Sequence, residues 1–145
     1  MTRSTFPRKD GAVLLGLIIG LAGCVETGDL GHDETTPSMN FLEDEANDRV
    51  IVQSTSDNAD WRGLALRTTM SGLRFALNEQ PAPGAQTLAA GSWTPVASQA
   101  QSVNAGEFIA FCATGGPRDA VTLDMNHVAT DTAMGSFQFT TIESC

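Results

Sequence analysis

The sequence predicts an all-β domain built as a small antiparallel sandwich, and three observations carry that prediction. Six short runs, residues 50–53, 64–70, 73–77, 107–113, 120–127 and 134–142, are rich in β-branched and aromatic residues. Gly, Pro, Asn and Asp punctuate them at the spacing of turns rather than of helix caps. Within the runs, apolar residues alternate with polar ones, which places one face of each strand inward and the other in solvent. Shorter candidates lie at residues 87–89 and 93–96.

In chain order the first element is not part of that domain. Arg3, Arg8 and Lys9 precede an uncharged, mostly aliphatic run from Gly11, which ends in Leu21, Ala22, Gly23 and Cys24. The run from Gly11 to Val25 has 15 residues and is closed by Glu26. A membrane span needs about 20 residues, so a cleaved secretory signal over residues 1–23 is the better reading. Ala22 and Gly23 leave the extended backbone before Cys24 unobstructed for a peptidase. These four residues match a lipobox in order, and the segment resembles the signals of bacterial and archaeal lipoproteins. The resemblance implies a diacylglycerol on the Cys24 thiol, a mature chain starting there, and a cell-envelope location on the extracytoplasmic side of the membrane.

Residues 24–48 come next. From Val25 to Asp48 there are eight acidic residues and no basic one, mixed with Gly, Thr, Pro and Ser. Such a stretch buries too little to offset chain entropy and extends by self-repulsion, so it reads as a solvated tether. A short helix over residues 39–46, N-capped by Ser38 and docked through Phe41 and Leu42, is expected to interrupt it. The folded domain is then expected over residues 49–145.

Inside the domain two hairpins can be drawn from the letters. With Ser71 and Gly72 as a two-residue turn, Met70 faces Leu73, Thr68 faces Phe75 and Leu66 faces Leu77. Arg67 and Arg74 then lie diagonally on the outer face, a candidate anion-binding pair on what is otherwise a solvated strand face. At the other end, residues 120–127 pair with 134–142 through a loop around Thr130, Asp131 and Thr132. Val121, Leu123 and Met125 share a face with His127, and Phe137 and Phe139 mark the core face of the last strand.

Three cysteines leave an odd one in a secreted chain. Lipidation of Cys24 accounts for it, and Cys112 and Cys145 are expected to form a disulfide. Phe108 and Ala110 put Cys112, and Phe137 and Phe139 put Cys145, in what reads as a common core-facing phase. The formal net charge is −9, and loss of residues 1–23 leaves five arginines, no lysine and sixteen acidic groups, or −11. Phosphate binding needs a basic stripe, so nucleic acid is not expected as a partner.

No catalytic constellation emerges. There is no G-x-S-x-G elbow, and His127 would be the sole base of the domain. Asp119, Asp124 and Asp131 read as turn and strand-edge groups rather than a glycosidase pair. His32, Asp33 and Glu34 are adjacent residues on a tether, and 57–60 lacks the alternation of a calcium loop, so neither predicts a metal. Asp57 to Asp60 instead reads as an Asx-type turn before Trp61. Trp61 and Trp93 are the aromatic candidates for a binding anchor or a core plug. No cofactor is implied.

The function expected is therefore non-enzymatic: a lipid-anchored envelope protein with an immunoglobulin-like β-sandwich that serves a structural role or binds a ligand or protein partner, a second copy included. An alternative comes from residues 105–139, where Gly106, Glu107, Phe108 and Ile109, then Val121, Thr122 and Leu123, then Gly135 to Phe139, are similar to the β domain of archaeal type IV pilins. That resemblance implies a fibre subunit cut after Gly11. A pilin's apolar helix continues well past 20 residues, whereas Glu26 and Gly28 end the one here.

Overall fold

Residues 35–145, described by the computed structural model, form two four-stranded antiparallel sheets. Leu21, Ala22, Gly23, Cys24 and the start of the acidic stretch lie outside the described residues. The strands are β1 (Met39–Asp44), β2 (Arg49–Thr55), β3 (Leu64–Arg67), β4 (Leu73–Leu77), β5 (Thr94–Pro95), β6 (Phe108–Ala113), β7 (Arg118–His127) and β8 (Thr132–Ile142). One sheet has the order β1-β2-β6-β4 and the other β5-β3-β7-β8. Without β5, which enters the chain between β4 and β6, these are the neighbour relations of an immunoglobulin constant-type sandwich.

A single core lies between the sheets. Val50, Val52, Leu73, Phe75, Ile109 and Phe111 face it from one side, and Leu64, Leu66, Leu123, Met125, Phe137 and Phe139 from the other. Period-two alternation is what selects these residues. Trp61, in the 3-10 turn Trp61–Gly63, is fully buried among them. Its indole N–H donates to Glu107 Oε1 at 2.9 Å, which satisfies its polar edge. Asp60 caps the turn by accepting the Arg62 N–H at 2.8 Å, the Asx-type role expected before Trp61.

Three expectations are corrected. Residues 39–46 are not a helix: Met39–Asp44 is strand β1, followed by the 3-10 turn Glu45–Asn47. A helix of eight residues is marginal on its own, whereas β2 offers a full ladder and Phe41 gains an edge-to-face contact with Phe137 at 5.4 Å. The folded unit accordingly begins at Thr35 rather than residue 49, and Glu43, Asp44, Glu45 and Asp48 belong to it instead of to a tether.

The hairpin through Ser71 and Gly72 does not form, because β3 and β4 belong to different sheets. Leu66 pairs with Met125 and Thr94, and Leu77 with Ile109. Alternation assigns a face but not a partner, and both strands keep their apolar residues inward. Gly72, at φ +83°, carries the crossing, and its carbonyl accepts the Thr114 N–H at 2.7 Å. Arg67 and Arg74 therefore sit on opposite outer faces of the sandwich, not diagonally on one.

The disulfide Cys112–Cys145 is present, but not in the expected phase. The core row of β6 is Ile109, Phe111 and Ala113, so Ala110 and Cys112 lie on the outer face. Beyond β8 the chain crosses to the other sheet and runs parallel to β6: the Ala113 N–H donates to Glu143 O at 2.9 Å, and the Cys145 N–H to Ala113 O at 2.9 Å. That crossing brings Cys145 to Cys112.

The acidic residues read as solvated charge have a structural use. β8 is an edge strand, and its outward N–H groups need acceptors. Glu43 accepts from Gln138 at 3.0 Å, Glu45 from Thr140 at 2.8 Å and Thr141 at 3.3 Å, and Asp48 from Glu143 at 2.9 Å. Asp48 stands at φ 51°, and its own carbonyl accepts the Phe111 N–H at 2.9 Å. Three carboxylates thus clasp one edge of the sandwich. The edge of β4 is covered by the chain at Gln86 and Leu88, through Phe75 N–H to Gln86 O at 2.9 Å and Leu88 N–H to Leu73 O at 2.8 Å.

Candidate functional site

The outer face of the β5-β3-β7-β8 sheet carries a row of side chains set by register. Leu66 pairs with Thr94, which brings Trp93 beside Arg67; Arg67 pairs with Asp124, and Asp124 with Ser136. One aromatic ring, one guanidinium, one carboxylate and one hydroxyl therefore cross four strands in a line. The Arg67 guanidinium lies 4.3 Å from the Trp93 ring centroid, and its Nη2 is 3.7 Å from Asp124 Oδ2. Trp93 is held out by the tight turn before β5, in which the Gly91 N–H donates to Thr68 O at 2.7 Å, and 38% of it stays exposed.

The next row is short. Pro95, Ala65, Asn126 and Ala133 are neighbours across the same strands. A groove of about 560 Å³ opens here, lined by Arg67, Trp93, Asp124 and Ser136 from the tall row, by Asn126 and Ala133 from the short one, and by Asp131. Asn126 lines it and is 8% exposed, yet its Oδ1 has no hydrogen-bond partner. Leaving such an acceptor unpaired costs about 1–3 kcal/mol, and native proteins leave few. A wider depression of about 800 Å³ over β7 and β8 contains Asp119, but that carboxylate already accepts from the Thr141 hydroxyl at 3.0 Å. No buried side-chain polar atom among its lining residues lacks a partner.

The other candidates lie apart from this groove. Trp61 is buried and makes no surface. Arg74 lies on the opposite outer face beside Cys112, remote in the fold from Arg67. His127 is buried with its Nδ1 2.7 Å from Thr130 Oγ1, a satisfied residue at the end of β7. Among the described residues no three His, Cys, Asp or Glu side chains gather as metal ligands. Cys24 lies outside the described residues.

The displaced carboxyls are also structural. The hydrogen bond from Arg49, then that from Asn47, hold Asp44 below its ordinary value. Burial raises Asp48; the Glu143 N–H opposes this, and the charges of Glu143, Glu45 and Asp44 add to it. Burial also pushes Glu107 up, but hydrogen bonds from Trp61, Asn104 and Asn78 together outweigh it and leave the carboxyl lowered.

Trp93 and Arg67 were visible in the sequence as an exposed aromatic and an outward cation. Asn126, Asp124 and Ser136 were not visible as their companions, because only the β3–β7–β8 register assembles them. The one local signal is Asn126 itself, a poor strand former inside a strand, where it follows a register shift between Met125 and Asn126. Comparison of the chain with family models, curated proteins and solved structures finds no match.

Proposed function

We propose that this chain is a lipid-anchored protein of the extracytoplasmic cell envelope, and that its sandwich is a non-catalytic binding module working through the outer-face groove. The observation that carries this reading is the partition of the cysteines. Cys112 and Cys145 are joined, which suits an oxidising compartment and leaves Cys24, at the end of the lipobox-like run, as the third cysteine of the sequence. The groove supplies the binding surface: it holds donors and acceptors on the strands and an aromatic ring beside them.

Mass spectrometry of the mature N-terminus from the native membrane tests the reading. The expected result is loss of residues 1–23 and a diacylglycerol adduct on Cys24. An unlipidated chain starting at Ala12 overturns it in favour of a pilin-like fibre subunit.

A further inference from the structure

We infer that the groove between Trp93 and Asn126 binds a neutral oligosaccharide. The inference rests on the reading of the groove as a binding surface, but not on the lipid anchor. Three features select the ligand class. Asn126 lines the groove and its side-chain oxygen is buried without a partner, so a ligand donor that reaches it on binding gains a hydrogen bond the free protein lacks. Trp93 is 38% exposed although the Arg67 guanidinium covers one part of its ring, so an apolar surface remains for the ligand. Asp124, Arg67 and Ser136 offer acceptors, donors and a group that is both, in one row.

Charged ligands fit this arrangement poorly. An anion would meet Asp124 and Asp131 in the groove, within a chain whose net charge is −9, and Arg67 already faces Asp124 at 3.7 Å. A cation would have to displace Arg67 from both the Trp93 ring and Asp124. A peptide that adds a strand to a sheet edge would not use this surface, which lies on a sheet face. A sugar ring matches the groups present: hydroxyls that donate and accept, and a C–H face that stacks on an aromatic ring. The open, shallow groove suits a chain of such rings more than an enclosed monosaccharide.

The test uses the full, disulfide-bonded chain labelled with ¹⁵N and an array of immobilised glycans. The array carries neutral glucans, mannans, galactans and N-acetylglucosamine oligomers, beside uronate-bearing and glucosamine oligomers and oligolysine. Retention on at least one neutral glycan is expected, with shifts in the Trp93 indole N–H and the Asn126 amide resonances on titration with its soluble oligomer. Trp93→Ala and Asn126→Ala are each expected to weaken that binding at least tenfold, and Arg74→Ala, on the opposite face, to leave it within twofold. Dispersed spectra of the variants separate loss of binding from loss of fold. Groove-dependent binding confined to anionic or cationic probes overturns the glycan assignment and leaves the groove a binding surface. Neutral-glycan binding that survives both groove variants places the site elsewhere and overturns the inference. Failure of every probe to move the Trp93 signal overturns both readings of the groove.

Discussion

Two regions of the same sandwich treat polar groups in opposite ways. Along the outer edge of β8, Glu43, Glu45 and Asp48 each take one or more backbone N–H groups, and every carboxylate of this clasp has a donor. On the face of the same sheet, Asn126 is buried with its carbonyl oxygen unpartnered, and Arg67 and Asp124 stand 3.7 Å apart, a loose pair. Charge is therefore no guide to where bonding capacity is left over in this domain. The acidic cluster is a fastening, and the less conspicuous amide beside a tryptophan is the place with unsatisfied bonding capacity.

The contrast predicts a graded series of stabilities, measured by denaturant unfolding. Replacing both Cys112 and Cys145 by serine removes the link that holds the crossing chain end on the clasped side. For a sequence separation of 33 residues, the loss is expected to be about 3–4 kcal/mol; an unchanged midpoint would mean the clasp holds this end unaided. Asp48→Ala leaves the Glu143 N–H without its acceptor and puts alanine at a positive φ. It should lower stability by about 2 kcal/mol, with Asp48→Asn retaining much of it.

Glu107→Gln is the next step down, at about 1 kcal/mol near neutral pH, since Trp61 and Asn104 then donate to an uncharged acceptor. Its pH dependence has a definite sign. The folded carboxyl is lowered, so its contribution is present above the ordinary glutamate value of 4.5 and is lost as pH falls through the folded value. The wild type and Glu107→Gln curves should therefore converge in acid, and parallel curves down to the acid transition would show that the charge of Glu107 contributes nothing. Asn126→Ala is expected to have the smallest effect, within about 0.5 kcal/mol or slightly stabilising, because it deletes an unpaired acceptor. A loss as large as that of Asp48→Ala would erase the distinction between clasp and groove.

How far these regions were legible follows from the range of the interactions. β4 is the predicted run 73–77, and β2, β6, β7 and β8 lie within a few residues of their predicted runs, because alternation is local. The pairing of β3 with β7 instead of β4 is not local: Leu66 is equally apolar against Leu77 or Met125. β1 was missed because Glu43, Asp44 and Glu45 look like solvated charge until the N–H groups of residues near 140 are placed beside them. The cysteine pair was expected from the cysteine count and from a shared core-facing phase, and the phase was misjudged, since β6 is buried on both faces and apolar parity there carries no information. The groove was visible only through Trp93 and Arg67.

The treatment of the sheet edges has a consequence for crowding. A bare strand edge is a template on which another molecule's backbone can continue the ladder. Here the outward amides of Gln138 and Thr140 in β8 are already taken by carboxylates, β4 is covered at Gln86 and Leu88, and β5 is two residues long and contains Pro95. Among the described residues that leaves β1 and the start of β8, and parallel in-register pairing of β1 with a second copy would set Glu43 and Asp44 against their own like charges. Much of the perimeter of this domain is therefore closed to the edge-to-edge pairing by which one molecule seeds another's polymerisation.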